Sequence, residues 1–182
     1  RSLDAVINGL RFVLDQALLV TRAPDFVLLR AMLSYIERFP EQLHHPKEEA
    51  YLFRKLRERA PQYGALLDEL GSQHREGSAS LAELHGALAA AEADPQRSLA
   101  AFSTLVEGFA QTQRIHMSAE EKLVMPAASE HLTDADWAEI AQAFGDNGDP
   151  RFGAKADVSF SRMFANLIHL AAGNRQEAAE PA

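Results

Sequence analysis

Two segments about seventy residues apart each set a histidine four positions ahead of a glutamate and then run into a compact apolar stretch. They are His44-His45-Pro46-Lys47-Glu48-Glu49 before Tyr51-Leu52-Phe53, and His116-Met117-Ser118-Ala119-Glu120-Glu121 before Leu123-Val124-Met125. On an α-helix, positions i and i+4 share one face. Laid on each other, His44, Glu48, Leu52 and Leu56 match His116, Glu120, Val124 and Ala127/Ala128. This is one stripe at helical spacing that leads from a polar pair into a core. Imidazole and carboxylate buried without partners cost several kcal/mol, and metal coordination is one of the few arrangements that compensates them. With 26 acids among 182 residues and seven histidines, chance supplies about one acid at i+4 of a histidine. Three occur: His44/Glu48, His45/Glu49 and His116/Glu120.

Composition narrows the chemistry. The formal charge of -8 opposes a nucleic-acid backbone and favours a cation. Zero cysteines remove disulfides, thiolate zinc sites and cysteine-bound iron-sulfur clusters, which leaves imidazole and carboxylate as metal ligands and fits a cytoplasmic protein. No apolar run approaches the roughly 18 to 20 residues of a membrane helix. There is no Gly-x-Ser-x-Gly elbow and no glycine-rich phosphate loop, so metal chemistry is the only chemistry with a visible apparatus.

The periodicity is helical throughout, with no strand pattern or internal repeat. Residues 3 to 20 carry Leu3, Val6, Ile7, Leu10, Val13, Leu14 and Ala17 on one stripe that stops near Thr21 to Pro24. From Asp25, an expected N-cap, a second helix runs through Leu28, Leu29, Met32, Leu33, Ile36 and Phe39 and resumes from Glu41 to about Arg59, with Pro40 and Pro46 expected to kink or interrupt it. A third spans residues 62 to 92 and stops at Asp94-Pro95; a fourth runs from Gln96 past His116 to about Glu130. Four long amphipathic helices predict an all-α, up-down four-helix bundle over residues 1–131. Thr133 reads as the N-cap of a shorter helix carrying Trp137, Ile140 and Phe144, and a final helix is expected over about Ala156 to Ala172. Residues 132–172 then form a helical extension packed on the bundle, and residues 173–182 a disordered tail.

Among the remaining histidines, His74 is the only polar member of the inner stripe of the third helix, four residues after Leu70 and seven before Leu81, and is expected to face the interior beside the two His/Glu pairs. His85, His131 and His169 are read as structural. A ferritin-type carboxylate site needs two Glu-x-x-His pairs, and only Glu41/His44 fits.

These residues resemble the hemerythrin-like, or HHE cation-binding, domains over about residues 1 to 130. The likeness rests on His44-His45-Pro46-Lys47-Glu48-Glu49 with Leu52-Phe53, on Gln73-His74, and on His116-Met117 with Glu120-Glu121 and Pro126; the segment from Trp137 to Phe164 is similar to the C-terminal extension of a bacterial branch. The resemblance implies a four-helix bundle holding two non-haem irons per chain, with an open position for oxygen species. It implies that His44 and His116 each cap an iron, that Glu48 and Glu120 bridge, and that His74 supplies the third helix. His45/Glu49 is the competing pair, and His45 is a further candidate ligand. The family takes a histidine from its first helix, yet residues 1 to 43 contain none, so the missing ligand is expected just before Arg1. The oxygen carriers also place a second histidine where this chain has Ser78, so the site is expected to be richer in carboxylate and harder, favouring ferric iron over reversible cycling.

The function so implied is a cytoplasmic non-haem di-iron protein that binds or reacts with O2, peroxide or NO, without nucleic-acid or membrane partners. Two other readings stand beside it. One is a non-catalytic cation-binding sensor or iron store acting through a partner; the other is a plain helical bundle whose His/Glu pairs are surface ion pairs worth a few tenths of a kcal/mol.

Overall fold

The computed structural model describes residues 2–145 and, beyond them, Ala165 alone. Among the described residues every regular element is helical, an all-α fold. Helix α1 covers Ser2–Leu19, and Val6, Ile7, Leu10, Val13, Leu14 and Ala17 form its buried stripe. It closes in a Schellman turn, with Thr21 N–H bonded to Leu18 O and Arg22 N–H to Ala17 O. Thr21 occupies the left-handed position at φ 51°, where glycine is the usual residue.

After the Asp25 cap, whose carboxylate accepts from Leu28 N–H at 3.0 Å, α2 (Phe26–Ile36) opens a helical rod that continues unbroken to Arg59. Pro40 and Pro46 neither break nor end it. Instead the rod widens into π-helix over Glu37–His44 (π1), returns to α over His45–Lys47 (α3), widens again over Glu48–Phe53 (π2) and finishes as α4 (Arg54–Arg59). A proline lacks the N–H that would meet the carbonyl four residues back, and its ring pushes that carbonyl away. Helices absorb such a defect by closing five-residue turns instead. His45 N–H bonds to Pro40 O, and Arg54 N–H reaches Glu49 O.

A 3₁₀ turn at Pro61–Tyr63 leads into α5 (Gly64–Ala93). Asp94 then caps α6 (Pro95–Ala119), which passes through π3 (Glu120–Val124) into α7 (Met125–His131). Pro126 sits at the start of α7, again four residues after a carbonyl inside the π turn. Helix α1 packs on α2 and α6, α2 packs on α5, and α5 lies along α6.

The apolar core is in two parts. One joins Val6 to Ala17, Leu28 to Phe39, Leu81 to Ala91 and Leu99 to Ala110. The other joins Leu52, Phe53, Leu56, Leu67, Leu70, Val124, Ala127, Ala128 and Ile140. Along each of the three rods built from α2–α4, α5 and α6–α7, the same interval separates the two parts. It holds the buried polar residues Glu41, His45, Glu48, His74, Gln113 and His116. A polar storey therefore lies between two apolar ones.

Helix α8 (Asp134–Gly145) packs on π2 beside the second core. Thr133 and Asp136 cap it reciprocally, and Asp136, only 2 % exposed, also takes Arg59 at 2.9 Å and Lys55 at 3.4 Å. The expected final helix and tail, beyond residue 145, lie outside the described residues. The bond from Arg59, then those from Thr133, hold the Asp136 carboxyl well below the usual range. A depressed acid stabilises above its unfolded pKa and loses that contribution only as pH falls through the folded value. Asp136→Ala is therefore expected to release α8 at neutral pH, shifting the fluorescence of Trp137 to the red while most helical circular dichroism remains. In the parent chain, acidification to the ordinary carboxylate range should leave Trp137 unchanged. An unaltered emission in the variant would show that this latch does not hold α8.

Candidate metal centre

The widened turns decide which side chains reach the interior. Counted from buried Ile36 with an α-helical repeat, positions 40, 43, 44 and 47 face inward. With one residue added in π1 the inward set becomes Glu41, His45 and Glu48, continuing to Leu52 and Leu56. His45 is accordingly buried, while the His44 side chain is 45 % exposed, its ring edge-on to Phe144 of α8 and its Nε2 3.9 Å from Glu48 Oε2. On α5 the inward stripe presents His74, and on α6 it presents His116, with Glu120 on π3 one turn further along.

Two groups of donor atoms converge from these rods. His45, His74 and His116 form one; Glu48, His74, His116 and Glu120 form the other, and within each group the ligand atoms all lie within 4.8 Å of one another. His116 Nε2 stands 2.8 Å from Glu120 Oε1 and 3.1 Å from His74 Nε2. His74 Nε2 is 3.7 Å from Glu48 Oε2 and 3.9 Å from Glu120 Oε1. The His74 ring lies between two parallel neighbours, His45 at 4.0 Å and Phe53 at 5.7 Å between centroids. Of the residues singled out in the sequence, His45, Glu48, His74, His116 and Glu120 are thus brought together, and His44 lies beside them at the α8 side.

The outer hydrogen bonds fix which atoms point inward. Gln73 Nε2 donates to Glu69 Oε1 at 3.0 Å, which turns its amide oxygen to His116 Nδ1, also at 3.0 Å. An amide oxygen only accepts, so His116 carries its hydrogen on Nδ1 and a neutral ring presents a bare Nε2 lone pair. Glu49, whose side chain is half-exposed, does the same for His74, with Oε1 accepting from Nδ1 at 2.8 Å. Two imidazole lone pairs and two carboxylates then face one another in a buried space. Lone pairs in that arrangement repel unless a proton or a metal ion lies among them.

Acidity at the site records the same crowding. Burial, followed by the charge of Glu120, pushes the Glu48 carboxyl well above its ordinary range. Burial also opposes the Glu120 charge, but the adjacent His116 and His74 rings, which favour the carboxylate whenever they take up a proton, outweigh it and hold Glu120 low. His74 is raised, since its contacts with Glu120 and Glu49 exceed the penalty of burial. His44 is lowered by burial and by neighbouring His45. Among the described residues, buried atoms without a hydrogen-bond partner include Glu41 Oε1, His45 Nδ1, Glu48 Oε2, Gln113 Oε1 and Glu120 Oε1, all in the polar storey. Glu41, Gln113, Gln73 and Glu69 were not singled out as site residues from the sequence. Gln113 could have been noticed as the polar member of the stripe Phe109-Gln113-His116, and Glu41 as the acid four residues before His45.

A carboxylate whose pKa is raised destabilises the fold increasingly as pH rises from its unfolded value toward its folded one. In chelator-treated protein at neutral pH, Glu48→Gln is therefore expected to stabilise by about 1 to 2 kcal/mol, read as a Tm several degrees higher. A Tm at or below that of the parent would contradict the repulsion inferred for Glu48 and Glu120.

The amino-acid sequence matches the family model of the hemerythrin HHE cation binding domain over residues 2–128. It is also 31 % identical over 121 residues to the uncharacterized protein Mb2018 of Mycobacterium bovis and to the uncharacterized proteins MT2051 and Rv1995 of Mycobacterium tuberculosis. That match covers 65 % of this chain and 46 % of each relative, so the chain spans less than half the length of the curated proteins it matches. No solved structure matches it. Among the described residues no helix is long and apolar enough to cross a membrane. With the family model covering most of its length and a buried His/Glu cluster at its centre, the chain belongs to the hemerythrin HHE cation-binding domain family.

Proposed function

We propose that this chain is a non-haem di-iron protein of the cytoplasm, an up-down four-helix bundle whose iron pair binds or reacts with O2, peroxide or NO at an open coordination position. The observation that carries the reading is the facing of His74 Nε2, His116 Nε2, Glu48 Oε2 and Glu120 Oε1, each with its lone pairs turned inward. Glu48 and Glu120, on opposite rods, would be the carboxylates that hold the ions in common, and His74 and His116 face the same space. His45 adds an imidazole from the His44-His45 segment, and His44 stands at the rim. Bound iron would supply a redox-active Lewis acid. The protein's part is to orient the imidazoles through Gln73 and Glu49 and to restrict water with the apolar cores above and below. The donor set of imidazole nitrogen and carboxylate oxygen, without sulfur, suits iron or manganese.

A second reading is a cation-binding sensor that acts through a partner. It is favoured by the contact of His44 with Phe144, which ties the rim of the site to α8. In that case cation binding stabilises and reorders the chain without turnover.

Full-length protein loaded anaerobically with Fe(II) is expected to hold two irons per chain and to gain a charge-transfer absorption on oxidation. Its Tm should rise by RT ln(1 + [L]/Kd) expressed as stability, about 2.7 kcal/mol at a hundredfold excess over Kd. Glu120→Ala should lose this stoichiometry; if the variant keeps two irons, Glu120 is not shared between them. Peroxide consumption separates the reactive protein from the sensor. Iron that neither binds nor raises Tm would sink both.

A further inference from the structure

Among the described residues four unpartnered buried atoms lie outside the Glu48/Glu120 group; His85 Nε2 stands apart beside Glu37, and the other three fall in the polar storey. They are Glu41 Oε1, Gln113 Oε1 and His45 Nδ1, from π1, α6 and α3. The Glu41 side chain is 5 % exposed and Gln113 is 3 % exposed, so neither reaches water. Both meet at one point on α5: a Cβ on Gly77 would stand 3.2 Å from Glu41 Oε1 and 3.2 Å from Gln113 Nε2. His45 Nδ1 lies 3.5 Å from Glu41 Oε2, misaligned for a hydrogen bond. Ser78 Oγ donates to that same Oε2 at 2.7 Å, which anchors one carboxylate oxygen and leaves the other free.

Such an arrangement is unfavourable for a protein that has nothing to place there. A carboxylate, an amide oxygen and an imidazole nitrogen are each satisfied by a cation, and each alone costs free energy when buried bare. Glu41 and Gln113 stand one turn before His45 and His116 on their rods, level with Gly77 and Ser78 one turn after His74 on α5. They adjoin the first group through His45, which belongs to the set with His74 and His116. The neighbouring helix α1 contributes an apolar face from Val6 to Ala17, so the donors come from the α2–α4 rod and from α6, facing Gly77 and Ser78 of α5.

We propose that Glu41, His45 and Gln113 hold the second cation of this chain, with Ser78 positioning the carboxylate and Gly77 keeping the space open. The proposal rests on the metal-binding function above and adds ligands to it. The set of two oxygens and one nitrogen is harder than a histidine cap and selects a hard first-row cation, iron or manganese, over copper. Ser78 thus acts through Glu41 and need not touch the ion.

The test is iron stoichiometry in the full chain after anaerobic Fe(II) loading and gel filtration, read by elemental analysis. Parent protein is expected to retain two irons, and Glu41→Gln one, with the ion beside His74 and His116 kept. Gly77→Ala replaces a helical glycine by a better helix former and so protects the fold, but its methyl group would stand 3.2 Å from both Glu41 Oε1 and Gln113 Nε2 and press them a few tenths of an ångström out of place. It is expected to weaken the second binding step at least tenfold while leaving the first unchanged. Two irons held with parental affinity in both variants would overturn the assignment and leave the di-iron function standing. One iron in the parent and in Glu41→Gln alike would also overturn it. No iron in any of them would sink the underlying function as well.

Discussion

Lone pairs turned toward one another with too few protons between them are the constraint on which this structure turns. The direction is set from outside. Glu69 fixes the amide of Gln73, Gln73 fixes the tautomer of His116, and Glu49 fixes that of His74. Each bond is ordinary, but together they leave imidazole nitrogens and carboxylate oxygens of three rods with nothing to donate inward. In the absence of a metal a proton on raised His74 or raised Glu48 is the only relief, and it serves one pair at a time. The two apolar storeys hold the rods at this separation, so the core enforces the polar crowding that it sandwiches.

The three π turns give that crowding its geometry. They lie at Glu37–His44, Glu48–Phe53 and Glu120–Val124, against the proposed ligands, and prolines stand in or beside them. A wider turn adds a residue without ending the helix, so it rotates the following side chains relative to the preceding ones. This is how a rod that packs Ile36 and Phe39 into one core can pack Leu52 and Leu56 into the other with Glu41, His45 and Glu48 between them. Two unperturbed α-helical repeats would place His44 inward instead. Gly77 completes the accommodation from the facing rod.

Much of this was legible in the chain itself. The long rods followed from their apolar period, and the caps at Asp25 and Asp94 and the turn at Thr21 to Pro24 fall where punctuation residues stand. His74 was legible as the lone polar residue on an apolar stripe, and His116 with Glu120 as a pair at helical spacing. The helical phase around Pro40 and Pro46 was not, because a proline inside an apolar pattern is compatible with a kink, a stop or a wide turn, and only packing on both sides selects among them. With that phase goes the choice between His44 and His45 as the buried imidazole. Glu41 and Gln113 were hidden for a different reason: buried partners from two rods meet across a third, and one rod's periodicity carries no record of the others' register.

The central claim is that imidazoles and carboxylates of separate rods turn their lone pairs onto a shared cation space. X-ray absorption at the iron edge of the loaded full-length chain tests it most directly. The account predicts a nitrogen and oxygen shell with the outer-shell scattering of imidazole rings, reduced in His74→Ala and in His116→Ala. A spectrum of iron surrounded by oxygen alone, and indifferent to either substitution, would contradict it.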